Sequence, residues 1–167
     1  MPATRNDLFT LFGKLGITVE THEHAPVYTV EEAKRVHDGI AGGHCKNLFC
    51  KDEKGVLWLI VTLEDSVVNL KAAPAKIGSK RLTFGKPELL MEVLGVEPGS
   101  VTPFGLINDT TARTNVILDA AMMEQLHLNF HPLQNAATTT IASQDLLTFI
   151  KACGHSPRVV AVSDPLP

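Results

Sequence analysis

The 167-residue chain lacks the features that mark secreted, membrane-spanning and nucleic-acid-coating proteins. One Trp and one Tyr are too few for a surface that stacks several bases. The longest apolar stretch, 56–63, is far shorter than the roughly 20 residues that span a bilayer. No apolar signal core follows the N-terminus, and three cysteines without such a signal favour reduced thiols. We therefore expect a cytoplasmic protein with no membrane partner.

Several common catalytic and metal signatures are also missing. The sequence contains no G-x-S-x-G elbow, no phosphate-binding P-loop and no G-x-G-x-x-G, which disfavours a serine hydrolase, a nucleoside triphosphatase and a dinucleotide-binding protein. His22 and His24 could share a strand face, but no third metal ligand can be named. Cys45 and Cys50 fall on opposite strand faces and make a poor chelate. We expect neither a metal nor another cofactor.

What is present indicates one globular domain, residues 1–167. Hydrophobic residues make up 44% of the chain and charged residues 20%, and the length is enough for one sizeable core. The net charge of −3 argues against a generic nucleic-acid binder. The stretch 70–87 nevertheless has no acidic residue and contains five basic ones: Lys71, Lys76, Lys80, Arg81 and Lys86. It is either a phosphate-binding surface or a solvated face whose acidic partners lie elsewhere.

Hydrophobic spacing and turn signals predict both helices and strands. Thr4 and Thr29 are predicted helix caps, and Ser143 is a third. Helices are predicted from residue 5 to 15 and over 30–36, 70–77, 87–94 and 144–153, and strands over 17–23, 44–51, 56–61, 80–84, 116–118, 128–132, 138–141 and 158–162. These elements follow no regular βαβ rhythm. The sequence therefore predicts an α/β protein of the α+β type, with a mixed, largely antiparallel, curled sheet surrounded by helices.

Three stretches could carry chemistry. Lys46 lies in an apolar strand and shares a face with Leu48 and Cys50, so its ammonium group either extends to solvent or meets an anionic or carbonyl partner in a cleft. The loop 99–103, a G-x-x-x-P sequence, is an ordinary rigid turn or a loop that presents main-chain N–H groups to a carbonyl oxygen. His131, which precedes a proline, is a core histidine or part of a pocket wall.

Taken together, these stretches resemble one family. The quoted segments are THEHAPVYT at 21–29, KNLF at 46–49, the 99–103 loop followed by FGLIND, and HPL at 131–133 with Asn135 and the threonines at 138–140. The chain is similar to the YbaK and prolyl-tRNA synthetase-associated editing domain family over nearly its whole length, and most similar to the free-standing ProX (ProXp-ala) branch. The resemblance implies a mixed sheet that forms a curled, barrel-like core with surrounding helices. It also implies trans-editing hydrolysis of mischarged tRNA(Pro), with alanyl-tRNA(Pro) as the expected substrate.

The resemblance also implies roles for individual residues. The catalytic group is expected to comprise Lys46, Gly99 and Ser100. Substrate-binding residues are expected to be Tyr28, Thr29, Val30, Asn47, Val101, Thr102, Pro103, Asn108 and His131. Tyr28, Val30 and His131 are candidate walls of a small side-chain pocket that excludes proline by size. The basic stretch 70–87, rather than the resemblance, supplies the expected tRNA-binding residues, which are Lys71, Lys76, Lys80 and Arg81.

The expected partners are the acceptor end of mischarged tRNA(Pro) and, as a further candidate, prolyl-tRNA synthetase. No visible triad is required, because an aminoacyl ester is already activated and the protein needs mainly to hold it against main-chain donors. Two other readings stay open. The residues alone allow a nucleic-acid-binding module without catalysis, and the resemblance also allows a cysteinyl-tRNA(Pro) deacylase.

Overall fold

A computed structural model describes residues 1–27 and 29–164, apart from the Val30 side chain. Its helices are α1 (Arg5–Lys14), α2 (Val30–His37), α3 (Ala73–Ile77), α4 (Pro87–Leu94) and α5 (Ser143–Ala152). Its strands are β1 (Glu20–Glu23), β2 (Gly43–Asp52), β3 (Leu57–Leu63), β4 (Leu82–Phe84), β5 (Thr114–Asp119), β6 (His127–Phe130), β7 (Ala137–Ala142) and β8 (Arg158–Val160). Short 3-10 turns occupy Pro98–Ser100, Pro103–Asn108 and Met122–Glu124.

Local hydrogen bonds explain where the first two helices begin. The Thr4 hydroxyl accepts from the Asp7 N–H, and the Asp7 carboxylate accepts from the Thr4 N–H, which forms the predicted capping box of α1. The Thr29 hydroxyl accepts from the Glu32 N–H at the start of α2. The predicted cap of α5 is wrong. Ser143 is the first helical residue, and its N–H donates to the Leu126 carbonyl.

A tight hairpin joins β2 to β3 and fixes the register of the central strands. One oxygen of Asp52 accepts from the N–H groups of Lys54 and Val56, and the other accepts from the Trp58 indole. These bonds hold the pKa of Asp52 below its usual value although burial opposes ionisation. The resulting antiparallel register pairs Lys46 with Thr62.

The sheet is mixed and runs in the order β1-β7-β6-β2-β3-β5-β8, with β4 paired to β2 off this path. Pairs β1–β7, β6–β7, β2–β3 and β2–β4 are antiparallel, while β2–β6, β3–β5 and β5–β8 are parallel. This arrangement confirms the predicted α+β fold class with a mixed, curled sheet and surrounding helices.

The two faces of the sheet bury separate apolar clusters. The larger contains the mutually packed rings of Phe12, Phe104 and Phe149, with centroids 5.3–5.5 Å apart, and it is covered by α1, α4 and α5. The smaller contains Cys50 and Trp58 and is covered by α3. Because neighbouring residues of β2 alternate between these clusters, the middle of this strand is held rigidly from both sides.

Candidate active site

Strand β2 leaves part of one edge uncovered. It pairs with β6 at residues 43–44 and with β4 at residues 50–52, and β3 covers its other edge throughout. The Glu64 N–H donates to the His44 carbonyl on the β3 side, so the alternation of an antiparallel ladder turns the main-chain groups of residues 45, 47 and 49 away from β3. Phe49 uses its carbonyl to accept from the Gly85 N–H. The main-chain groups of Asn47 therefore point into the opening between β6 and β4.

The G-x-x-x-P loop docks at this opening. The Asn47 side-chain amide donates to the Val101 carbonyl at 3.1 Å. Thr102 is fully buried and its hydroxyl accepts from the Phe104 N–H, while buried Pro103 begins the next 3-10 turn. These two residues therefore anchor the loop. Ser100 is buried and its N–H donates to the Glu97 carbonyl at 2.8 Å, so that N–H is not available to a ligand.

Packing within the described chain does not require glycine at position 99. A Cβ there would meet the Asn135 amide nitrogen at 3.6 Å, which is ordinary van der Waals contact. The loop thus has Asn135 close to the position of a Gly99 Cβ at one end and is bonded to Asn47 through Val101 at the other. The missing side chain leaves the main chain of the loop open to close approach by a ligand.

The turn after β6 places His131 and Asn135 beside the opening. The ring nitrogen Nδ1 of His131 lies 3.1 Å from the Ala137 carbonyl, and because a carbonyl only accepts, Nδ1 carries the proton and Nε2 is the acceptor. Burial lowers the pKa of His131, which favours this neutral form. Leu133 adopts a left-handed conformation with φ of 70°. The Asn135 amide donates to the Val27 carbonyl at 2.7 Å.

The stacked rings of His37 and His44 form another side of the opening. The rings of His37 and His44 lie 3.9 Å apart, and His37 Nδ1 is 3.1 Å from a Glu64 oxygen. His44 Nε2 donates to the Ile40 carbonyl at 3.0 Å, which leaves Nδ1 as an acceptor. Burial is the main cause of a lowered pKa at His44, so the neutral ring is favoured.

A small cavity of about 30 Å³ lies between these elements. Its lining comprises His37, His44, Cys45, Asn47, Asn129, Phe130, His131 and Thr138. Burial raises the pKa of Cys45 to about 12, so its thiol stays protonated and is a poor nucleophile. The cavity can therefore contribute shape and hydrogen bonds rather than a thiolate.

Three buried acceptors around the opening have no partner among the described residues. They are Asn47 Oδ1, Asn135 Oδ1 and His44 Nδ1. Their identity as acceptors is fixed, because the opposite end of each group donates to a main-chain carbonyl. Asn47 and His44 line the same cavity, Asn47 bonds the glycine loop at Val101, and a Cβ on Gly99 of that loop would lie 3.6 Å from the Asn135 amide nitrogen. A ligand that satisfies this cluster must bring hydrogen-bond donors.

Lys46 and Asn47 lie on opposite faces of β2. Lys46 does share a face with Leu48 and Cys50, as predicted, but the residue that reaches the glycine loop is Asn47, on the opposite face. Lys46 is half-buried, and no acidic side chain in ranges 1–27 and 29–164 forms an ion pair with it. A half-buried cation of this kind favours an anionic ligand on its own face of β2.

Several other expected substrate-binding residues are not part of the opening. Both ends of the Asn108 amide are used elsewhere, since Oδ1 accepts from the Ala3 N–H at 2.7 Å and Nδ2 donates to the Leu94 carbonyl at 2.8 Å. Asn108 thus ties the N-terminus to the end of α4 and offers no free group to a substrate. Thr29 is exposed and caps α2. Tyr28 and the side chain of Val30 lie outside the described residues.

The expected tRNA-binding cations divide into two groups. Lys71, Lys80 and Arg81 are exposed and form no ion pair within the described part of the chain. Lys76 instead lies 3.4 Å from both an Asp164 oxygen and the Val162 carbonyl, which ties α3 to the C-terminal segment. Lys76 is therefore the least available of the four for a phosphate.

The sequence did not single out His44 or Asn135 as site residues. The only signal for Asn135 was its place in the segment after His-Pro-Leu, and His44 was visible only as the neighbour of Cys45. The described residues contain no group of three metal-ligating side chains. Within the same ranges, every helix is too short or too polar to cross a bilayer.

Comparison with known proteins adds independent information. Residues 24–149 match the family model of the aminoacyl-tRNA editing domain. A prolyl-tRNA editing protein ProX from Acetoanaerobium sticklandii is 34% identical over 148 residues, covering 88% of this chain and 90% of that protein. The mouse prolyl-tRNA synthetase associated domain-containing protein 1 is 37% identical over 161 residues, covering 93% and 95%.

Solved structures support the fold. A candidate trans-editing enzyme for prolyl tRNA synthetase superimposes with a TM-score of 0.71 at 18% identity, covering 98% of this chain and 99% of that one. The protein APE2540 superimposes with a TM-score of 0.73, also at 18% identity, covering 94% and 99%.

Proposed function

The chain belongs to the aminoacyl-tRNA editing domain family, and we propose that it hydrolyses alanyl-tRNA(Pro) in trans, after the mischarged tRNA leaves prolyl-tRNA synthetase. Family membership bears out the predicted enzyme class, an aminoacyl-tRNA hydrolase. The amino acid, the tRNA and the residue roles are the proposed part.

The observation that carries the proposal is the cluster of buried acceptors beside a very small cavity. An alanyl ester has an α-ammonium group with three N–H donors and a single methyl side chain. The donors match Asn47 Oδ1, Asn135 Oδ1 and His44 Nδ1, and a methyl group suits a cavity of about 30 Å³.

The same cluster gives a reason to reject prolyl-tRNA(Pro). Proline has a secondary ammonium group with two N–H donors, so one buried acceptor would stay unsatisfied, and its ring is larger than the methyl group of alanine. A site that hydrogen-bonds a substrate N–H rejects an analogue that lacks it more strongly than size alone can.

The uncovered edge of β2 supplies a main-chain hydrogen-bond donor that can stabilise the negative charge formed during ester hydrolysis. Water attacks the ester carbonyl carbon, negative charge develops on the carbonyl oxygen, and the bond to the ribose oxygen then breaks as that oxygen takes a proton. The Asn47 main-chain N–H is directed into the opening, where it can stabilise the oxyanion. His131 Nε2, with the pKa of the ring lowered by burial, can accept a hydrogen bond from the attacking water.

Charged groups then orient the rest of the substrate. Lys46 lies one residue away on the opposite face of β2, where it can bind a phosphate next to the terminal adenosine. Lys71, Lys80 and Arg81 extend the positive surface toward the acceptor stem. Lys46 therefore acts in this proposal by binding phosphate rather than the ester carbonyl.

The experiment is a deacylation panel. Alanyl-, cysteinyl-, seryl- and prolyl-tRNA(Pro), together with alanyl-tRNA(Ala), are incubated with the protein and ester loss is followed. We expect alanyl-tRNA(Pro) to be hydrolysed at least about 100-fold faster than prolyl-tRNA(Pro). If the cysteinyl ester is hydrolysed faster than the alanyl ester, the substrate is cysteinyl-tRNA(Pro) and not alanyl-tRNA(Pro). Binding of tRNA without turnover of any ester would instead indicate a non-catalytic module.

A further inference from the structure

Phe84 is an exposed aromatic side chain that the editing site does not use. Its side chain is 63% exposed, and within ranges 1–27 and 29–164 no other Phe or Trp is exposed. Trp58, by comparison, is 7% exposed. An exposed phenyl ring on a short edge strand is accessible to a ligand or another chain, and what surrounds the ring decides which ligand it suits.

The sheet places Phe84 on the same face as Lys46. Phe84 is the register partner of Cys50, and residues opposite each other in a ladder point to the same side. Cys50 and Lys46 are both even-numbered positions of β2, four residues or about 13 Å apart. Phe84 therefore lies beside β2 at a point about 13 Å along the strand from Lys46, the cation that is proposed to bind the phosphate of the terminal nucleotide.

Unpaired cations surround Phe84. Lys51 and Lys86 line the same depression of about 370 Å³ as Phe84, together with Glu88 and Glu92. Arg81 lies earlier in the same edge segment and lines a second depression, of about 600 Å³. None of these cations forms an ion pair with another described residue. The depression beside Phe84 therefore has two cations and two carboxylates, and one of those carboxylates, Glu92, is paired with Arg113.

We propose that Phe84 stacks on one unpaired base of the tRNA 3′ tail, a nucleotide that precedes the terminal adenosine, while Lys51 and Lys86 bind the flanking phosphates. The inference rests on the proposed function, which supplies a ligand with an unpaired 3′ end. Single-stranded nucleic acids are bound by cationic grooves with aromatic rings on which bases stack. One ring suits one base, and the Glu88 carboxylate is placed to accept from an exocyclic amino group of that base.

The test compares two RNA hairpins that reproduce the acceptor stem of tRNA(Pro), one with its unpaired 3′ tail and one trimmed to a blunt end. In a Phe84→Trp variant, the tailed hairpin should quench the emission of the new indole and the blunt hairpin should not. The wild type, whose only tryptophan is buried, provides the background. Equal quenching by both hairpins, or none, would overturn the proposal.

Binding and kinetics supply a second readout. Phe84→Leu, which keeps an apolar side chain but removes the ring, should weaken binding of the tailed hairpin about tenfold and leave the blunt hairpin unchanged. Lys86→Gln should lower the slope of log affinity against log salt by about 1. Leu126→Ala is the matched control, since Leu126 is also exposed, at 80%, but lines a different depression. It should change neither quantity.

The outcomes separate this proposal from the proposed function. Hydrolysis of alanyl-tRNA(Pro) by the wild type, with Phe84→Leu indistinguishable from it in KM and in hairpin affinity, would reject the stacking role alone. No hydrolysis by the wild type would reject the editing function, and the hairpin experiment would still decide whether Phe84 binds RNA. If Phe84→Leu converts a dimer to a monomer in sedimentation, the ring binds a second copy of the chain and the proposal fails.

Discussion

Replacing Asn47 tests whether the glycine loop must be tied to β2. The Asn47 amide donates to the Val101 carbonyl at 3.1 Å, and Asn47→Ala removes this bond together with one of the three buried acceptors. A hydrogen bond of this type contributes about 1 kcal/mol to stability. Domains are stable by roughly 5–15 kcal/mol, so nearly all Asn47→Ala molecules should stay folded.

Activity should respond much more strongly than stability. A loop released from β2 no longer holds the ester in line with the main-chain donor, and displacement of reacting groups by about 1 Å costs around 100-fold in rate. We therefore expect kcat/KM for alanyl-tRNA(Pro) to fall about 100-fold, or about 2.7 kcal/mol, with most of the loss in kcat. Single-turnover deacylation measures the chemical step, and urea denaturation measures the free energy of unfolding.

Asn115→Ala is the matched control. The Asn115 amide donates to the Leu57 carbonyl, also at 3.1 Å, but it joins β5 to β3 away from the loop. It should lose a similar amount of stability, about 1 kcal/mol, and keep wild-type activity. Equal kcat/KM for the Asn47 and Asn115 variants would refute the role of the loop contact. So would an Asn47→Ala protein whose loss of activity is explained by unfolding.

Four further outcomes are expected. Lys46→Ala should remove most deacylation while the circular dichroism spectrum is unchanged; wild-type rates would exclude a role for Lys46. His131→Ala should enlarge the pocket and admit seryl and prolyl esters, so an unchanged substrate range would show that His131 is not a wall. Burial lowers the pKa of His131 from 6.5, so the unfolded chain binds more protons below pH 6.5; stability should fall as pH decreases through that value, and His131→Gln should flatten this dependence in urea titrations. Lys71→Gln should weaken tRNA binding and lower the salt slope by about 1, whereas Lys76→Gln, which breaks the contact with Asp164, should change thermal stability more than affinity.

The features that the sequence predicted are mostly local ones. The Thr4 and Thr29 caps and the β2–β3 hairpin depend on residues within a few positions of each other, and the structure contains all of them. The family could also be identified from ordered short motifs, and the comparisons confirm it. The irregular order of helices and strands predicted the mixed, curled sheet, and the family resemblance implied the same fold.

The parts of the site that the sequence could not predict depend on distant contacts. Asn108 bonds Ala3 across 105 residues, Lys76 meets Asp164 across 88, and Asn47 meets Val101 across 54. Alternation along β2 correctly grouped Lys46 with Leu48 and Cys50, but it could not say on which face the glycine loop would dock. That choice is made by packing of the loop segment, through Val101 and buried Phe104, in the larger apolar cluster.

The pairing of β1 with β7 has a consequence for folding of the chain during its synthesis on the ribosome. Thr21 and Thr139 share a hydrogen bond although 118 residues separate them. At a synthesis rate of roughly 5–20 residues per second, β1 stays without its partner for about 6–24 s. Asn135, which contacts Val27, emerges equally late, so a nascent chain cannot assemble the editing cleft until most of its length has been translated.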